Sequence, residues 1–134
     1  MANIQVGYGH GDVVGIPFDF YAGATLVSGS TITMQTAVLV LLPSGAVSLT
    51  INLPLNPVDG AWAEIVNASA SIITLTAVNA NTGDMLVGAA IPATLPAATQ
   101  TPLVTTSIKF RYTLNGFQPA SGAAVNPRSW VRVQ

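Results

Sequence analysis

Charge is what this chain has least of. Of its 134 residues only four are basic and five acidic, 7% in all, with a formal net charge of -1. An ordinary soluble domain carries roughly 25% charged residues. The four cations, Lys109, Arg111, Arg128 and Arg132, are too few for the extended phosphate-neutralising stripe that nucleic acid requires, so a nucleic-acid partner is not expected. Cysteine is absent, which excludes disulfides, thiolate catalysis and zinc–thiolate sites. Histidine occurs once, at position 10. The longest apolar run, Ala37 to Leu42, is far short of the roughly 20 residues that span a bilayer as a helix. No basic amphipathic stretch suggests membrane binding. The start, Met1-Ala2-Asn3-Ile4-Gln5, lacks the basic and apolar regions of a signal peptide, so synthesis in the cytoplasm is expected.

What the chain does have is hydrophobic residues, half of the total, with positive mean hydropathy. That excludes a disordered chain. Its length is right for one domain with a sizeable core. A surface with so little charge is covered by Thr, Ser, Asn, Gly and apolar groups, and part of it is expected to be buried against a partner.

Period-two alternation recurs along the sequence. Ile4, Val6 and Tyr8 share a face, as do Ile16, Phe18 and Phe20, then Val47, Leu49, Ile51 and Leu53. Further on come Ile73, Leu75 and Ala77, then Ile108, Phe110, Tyr112 and Leu114. Each predicts a strand with one buried and one wetter face. Thr36 to Leu42 is apolar on both faces, which predicts a strand covered on both sides, one of them by a neighbouring subunit if not by the chain itself. Turn chemistry separates the runs at Pro43-Ser44-Gly45, Asn56-Pro57-Val58-Asp59-Gly60, Asn81-Thr82-Gly83-Asp84 and Asn115-Gly116. Trp62 to Val78 reads as two strands. The expected class is all-β, a sandwich or small barrel. Residues 1–12 are expected to form a flexible N-terminal segment and 13–134 a single domain. Within it, the uncharged Ala/Pro/Thr-rich stretch 88–106 has prolines at 92, 96 and 102, which predict a long extended loop or an excursion along a sheet edge. Residues 120–127 predict a second one.

Candidate chemistry is sparse. Gly7-Tyr8-Gly9-His10-Gly11-Asp12 imitates a phosphate loop, but a Pro-containing alternating segment follows it where a helix N-terminus is required. His10 and Asp12 are two ligands without a third, so no metal and no cofactor is expected. Asp59 and Glu64 are conceivable as a carboxylate pair, yet Asp59-Gly60 is an ordinary turn dipeptide. No nucleophile triad can be assembled from one histidine and no Gly-x-Ser-x-Gly. Asn67-Ala68-Ser69 is formally a glycosylation acceptor. Trp62, Trp130, Tyr8, Tyr21 and Tyr112 could contact sugars, but nothing clusters them in sequence. A non-enzymatic protein is expected.

From Asp59 onward the chain resembles small β-structured modules of tailed-phage virions. The resemblance rests on Asp59-Gly60-Ala61-Trp62 leading to Val66-Asn67-Ala68-Ser69 and then on Thr82-Gly83-Asp84 with Gly88. It closes on Phe110-Arg111-Tyr112 and Trp130-Val131-Arg132-Val133. The likeness is to capsid decoration (cement) proteins and to head-fibre and tail-fibre tip domains. It implies a jelly-roll-like antiparallel β-sandwich, commonly a homotrimer, and it carries no catalytic residues. A fibre protein would need a shaft, and no heptads or repeats supply one. The leading expectation is therefore a decoration protein on the capsid exterior that binds the major capsid protein lattice and its own copies. The alternative is a fibre tip that binds a receptor or glycan. Expected contact residues are Ile4, Val6, Tyr8 and His10 of the N-terminal segment and Ile91, Leu95 and Leu103 of the Pro-rich loop.

Overall fold

A computed structural model describes residues 18–88, 92–100, 103–114 and 128–134. The strands are β1 (Asp19–Gly23), β2 (Thr31–Thr33), β3 (Val38–Pro43), β4 (Val47–Asn52), β5 (Trp62–Asn67) and β6 (Ile73–Asn79). They continue as β7 (Met85–Val87), β8 (Ala93–Leu95), β9 (Thr99–Gln100), β10 (Leu103–Val104), β11 (Thr106–Thr113) and β12 (Ser129–Arg132). No helix occurs among the described residues. Two sheets carry the fold: one of six strands, ordered β1-β3-β5-β11-β12-β7, and one of four, ordered β2-β4-β6-β8. The pair β9–β10 forms a separate small ribbon. The all-β, sandwich-like expectation holds.

The antiparallel jelly-roll order does not. Five of the nine strand pairings are parallel: β1–β3, β3–β5, β2–β4, β4–β6 and β7–β12. The first six strands alternate between the sheets, odd strands in the larger and even strands in the smaller. Parallel neighbours need a long crossover, usually a helix. Here the strand in the opposite sheet serves as the crossover, so residues 19–79 wind as three two-strand coils. Alternation of side chains shows which face of a strand is apolar, but nothing about the direction of its neighbours.

The core lies between the sheets. Leu39, Leu41, Ala63, Ile65, Ile108, Phe110, Tyr112 and Trp130 of the larger sheet face Val47, Leu49, Ile51, Ile73, Leu75 and Val78 of the smaller. Strand β4 alternates along its whole length as read from sequence, with Val47, Leu49 and Ile51 buried. Strand β6 departs from its expected pattern. Leu49 pairs with Leu75 but Thr50 pairs with Ala77, so Thr76 is an extra residue in a bulge. The Thr76 hydroxyl donates to the Leu49 carbonyl at 3.1 Å. Past the bulge Val78, not Ala77, is buried.

Other differences follow from position in the sheets. Phe18 and Phe20, expected on a buried face, are 56% and 54% exposed. Strand β1 is the outermost of its sheet, and its inward positions pair with Leu39 and Leu41 through Asp19 and Tyr21. Strand β3 buries Leu39 and Leu41, while Val38, Val40 and Leu42 on its other face are left partly or largely uncovered. Among the described residues of the 88–106 stretch the edge-excursion alternative fits better than one long loop: β8 pairs antiparallel with β6 at the edge of the smaller sheet, and β9 pairs with β10. Leu114 ends outside the core. The expected loop 120–127 and flexible segment 1–12 lie outside the described residues.

Leu49 is fully buried at the centre of β4. Leu49→Ala is expected to cost about 2–5 kcal/mol, transfer free energy plus cavity, read as a lowered denaturant midpoint at unchanged slope.

Candidate functional site

Among the described residues, three of the places that gather polar or exposed apolar groups bear on function. The first is at the end of β5, where Asn67 is fully buried. Its amide nitrogen donates to the carbonyls of Ser71 (2.7 Å), Pro96 (2.9 Å) and Leu95 (3.2 Å). Its Oδ1 accepts from the backbone N–H and the hydroxyl of Ser69, at 2.9 and 2.8 Å. Ala98 N–H donates to Ser69 O, and Thr106 Oγ1 to Pro96 O. The sequon Asn67-Ala68-Ser69 is thus a side-chain staple between β5 and the chain after β8. Its amide nitrogen faces inward, closed to glycosylation in the folded state.

The second place is a cleft of about 500 Å³ between the Asn56-Pro57 turn, the Asn81-Thr82 turn and the ends of β11 and β12. Asp84 sits at its base, with its side chain 3% exposed. Arg128 Nε lies 3.1 Å from Asp84 Oδ1, and the Tyr112 hydroxyl donates to the same oxygen at 3.3 Å. Burial, then the Asp84 carboxylate, pushes the Tyr112 phenol above its ordinary pKa, so it keeps its proton and stays a donor. Tyr112 in turn packs on the buried Trp130 ring, centroids 5.2 Å apart. Gly83 turns the chain here with φ of 90°, and a Cβ in its place would collide with the Arg128 guanidinium. The positive φ favours glycine before Asp84, whereas the half-exposed Arg128 side chain could swing aside for a Cβ. Asn56, Asn81 and Thr82 add polar groups to the rim, with Leu55 and Pro57 as apolar wall.

The third place is the outermost coil. Strands β1 and β2 are each terminal in their sheets. Phe18, Phe20, Tyr21 and Val27 are exposed around them. Paired residues share a face, so Phe20, Val40, Val66 and Ser107 form one uncharged row across the outside of the larger sheet. Asp19 is the one charge in this coil, and its carboxylate accepts the N–H groups of Gln35 (2.8 Å) and Thr36 (3.2 Å). The outside of the smaller sheet is also uncharged. Asn79 donates to Asn52 and Asn52 to Thr33, while Thr50 pairs with Thr76.

Of the contact residues expected from sequence, Ile4, Val6, Tyr8, His10 and Ile91 lie outside the described residues. Leu103 is in β10, paired with Gln100. Leu95 is corrected: it is 4% exposed and packs into the core, because β8 adds to the smaller sheet beside β6. Asp59 and Glu64 do not form a carboxylate pair. Asp59 accepts the Leu114 N–H at 2.9 Å, while Glu64 sits in an outer row between Val38 and Lys109. Among the described aromatics Tyr112 and Trp130 pack on each other, but inside the core, while Trp62 is in β5 and Tyr21 at the outer coil; Tyr8 lies outside the described residues. No group of three or more His, Cys, Asp or Glu that could hold a metal is present among the described residues.

Comparison with protein-family models, curated proteins and solved structures finds no match to this chain.

Two outcomes are expected. Asn67→Ala strands at least one buried carbonyl, so it should lower unfolding free energy by about 1–3 kcal/mol in a denaturant titration. The Tyr112 proton is held more tightly folded than unfolded. Its contribution is therefore complete below the unfolded pKa of about 10 and is lost as pH rises through the higher folded value. Melting temperature should fall in that alkaline range, and Tyr112→Phe should flatten the fall.

Proposed function

We propose that this chain is a non-enzymatic structural module of a bacteriophage virion, a capsid decoration protein that binds the outside of the head lattice and stabilises it. The observation that carries the reading is an exposed apolar coil with almost no charge, at strands that end their sheets. Natural proteins protect such edges with charge, proline or cover. Here the one charge, Asp19, is tied to Gln35 and Thr36 instead of standing guard. An interface is the cover that this surface fits.

The resemblance of the segments after Asp59 to phage modules supplies the setting, and the structure gives two of them a physical role. The Val66-Asn67-Ala68-Ser69 step is the staple, and Thr82-Gly83-Asp84 is the turn that seats the Asp84 carboxylate against Arg128. Both are architectural, which suits a module whose work is binding. Stabilisation would follow from mass action: a protein that binds the assembled shell and not its dissociated subunits shifts the equilibrium toward assembly. The homotrimer implied by the resemblance would make later contacts effectively intramolecular.

The test is co-sedimentation of the purified protein with assembled heads and, separately, with dissociated capsid subunits of the phage concerned. Saturable binding to heads alone, with a raised temperature of head disruption, is the expected result. Equal binding to both, or to neither, would sink the decoration reading. The alternative, a fibre tip that binds a glycan, draws on the Asp84 cleft with its amide rim and apolar wall. Retention on immobilised cell-surface glycans, lost on Asn81→Ala, would favour it.

A further inference from the structure

We infer that the outermost coil, β1 with β2, is a self-complementary surface through which two copies of this chain join end to end and extend both sheets at once. The starting point is topological. Strands β1 and β2 are consecutive in the chain, lie in different sheets, and are each the last strand on their side. The coil end therefore presents two rows of backbone N–H and C=O groups, one per sheet, among the described residues.

The geometry selects the partner. A single extended peptide can add to one of these edges but leaves the other open. A second copy related by a two-fold axis normal to the sheets covers both. That operation keeps each sheet at its own level and reverses strand direction, so β1 meets the other copy's β1 antiparallel, and β2 meets β2. Such contacts are isologous and closed. A three-fold axis cannot pair an edge strand with itself, so a trimer would have to use a different face.

The side chains allow it. Residues 18–33 contain one charge, Asp19, and its carboxylate is already held by two backbone N–H groups. In the register centred on Tyr21, which uses all of β1, Asp19 falls opposite Gly23 and Phe20 opposite Ala22. No like charges meet, and a large aromatic meets a small residue on the same face. The same contact would shelter Phe18, Phe20 and Tyr21, which are exposed in the single chain.

The test uses the full chain, and its lack of cysteine makes cross-linking unambiguous. Residues facing each other across an antiparallel pair have Cα atoms roughly 4.5–5.5 Å apart, within disulfide reach. Tyr21→Cys is expected to give a disulfide-linked dimer under mild oxidant, and Val87→Cys on the opposite edge of the larger sheet is not. Light scattering of the unmodified chain should show an even-numbered assembly: a dimer, or a hexamer where a three-fold contact also forms. Phe20→Lys, at an exposed position, should weaken association about tenfold or more with the circular dichroism spectrum unchanged. A monomer or a lone trimer at every accessible concentration would overturn the inference. So would failure of Tyr21→Cys, Phe20→Cys and Ala22→Cys alike to cross-link. If removal of residues 1–17 turns a monomer into a dimer, the occupant in the full chain is its own N-terminal segment, and the inference fails for the intact protein. Both readings draw on this coil, but none of these measurements reads capsid binding, so failure of this inference and failure of the decoration reading are distinguishable.

Discussion

The constraint on which the rest of the structure depends is that each parallel neighbour must be reached by crossing to the other sheet and back. In residues 19–79 there is no helix to make that crossing, so every crossover strand must itself be half of the core. This is why β4, β5 and β6 alternate so regularly, with Leu49, Ile51, Ala63, Ile65, Ile73 and Leu75 all fully buried. It is also why a slip of one residue in any of them would turn apolar side chains out to water. The Thr76 bulge is the one tolerated irregularity, and its extra residue satisfies a backbone carbonyl with its own hydroxyl.

The two ends of this winding are finished differently. Beyond β5 the larger sheet gains β11 antiparallel, then β12 and β7. Beyond β6 the smaller sheet gains β8, also antiparallel. Two buried polar anchors hold these additions: Asn67 ties β5 to the chain after β8, and Asp84 ties the turn before β7 to Arg128 and Tyr112. Both anchors use groups that would be costly to bury alone and are paired where they are. The other end, β1 and β2, has aromatic side chains where the far end has anchors.

Much of the fold was legible in sequence, and what was not has physical causes. The strand periods of Val47–Leu53 and Ile108–Tyr112 translate directly into buried faces. The two strands read in Trp62–Val78 are β5 and β6. Strand direction was not legible, because a two-residue period is the same in parallel and antiparallel sheets. The alternation of Phe18 and Phe20 indicated an apolar face correctly but not that it faces outward, since an outermost strand can expose what a central one would bury. Leu95 was misplaced for the opposite reason. Proline-rich flanks suggested a loop or an edge excursion, and three residues suffice for a strand at the edge of the smaller sheet that turns Leu95 inward. The Asp84 site had only the Thr82-Gly83-Asp84 turn to announce it. Its partners Tyr112 and Arg128 are 28 and 44 positions away, joined by a topology that local sequence does not encode.

The distribution of charge along the chain bears most directly on function. Residues 20–58 contain no ionisable Asp, Glu, Lys or Arg at all, and they form the first two coils, from β1 to β4. Apart from Asp19 at the start of β1, the described charges run from Asp59 to Arg132, in the part that antiparallel strands complete. Charge keeps copies of a protein apart and discourages strand edges from pairing. Withholding it from the half that ends in β1 and β2 therefore removes both barriers at the same place. Hydroxyl and amide groups on the outside of the smaller sheet replace part of the lost hydration, and they bond to one another in the Asn79–Asn52–Thr33 chain. Around β1 the described residues provide no such polar cover, and the exposed groups there include Phe18, Phe20 and Tyr21. A surface uncharged in one sheet and aromatic at the edge of the other is the physical ground on which a protein contact is proposed for this end.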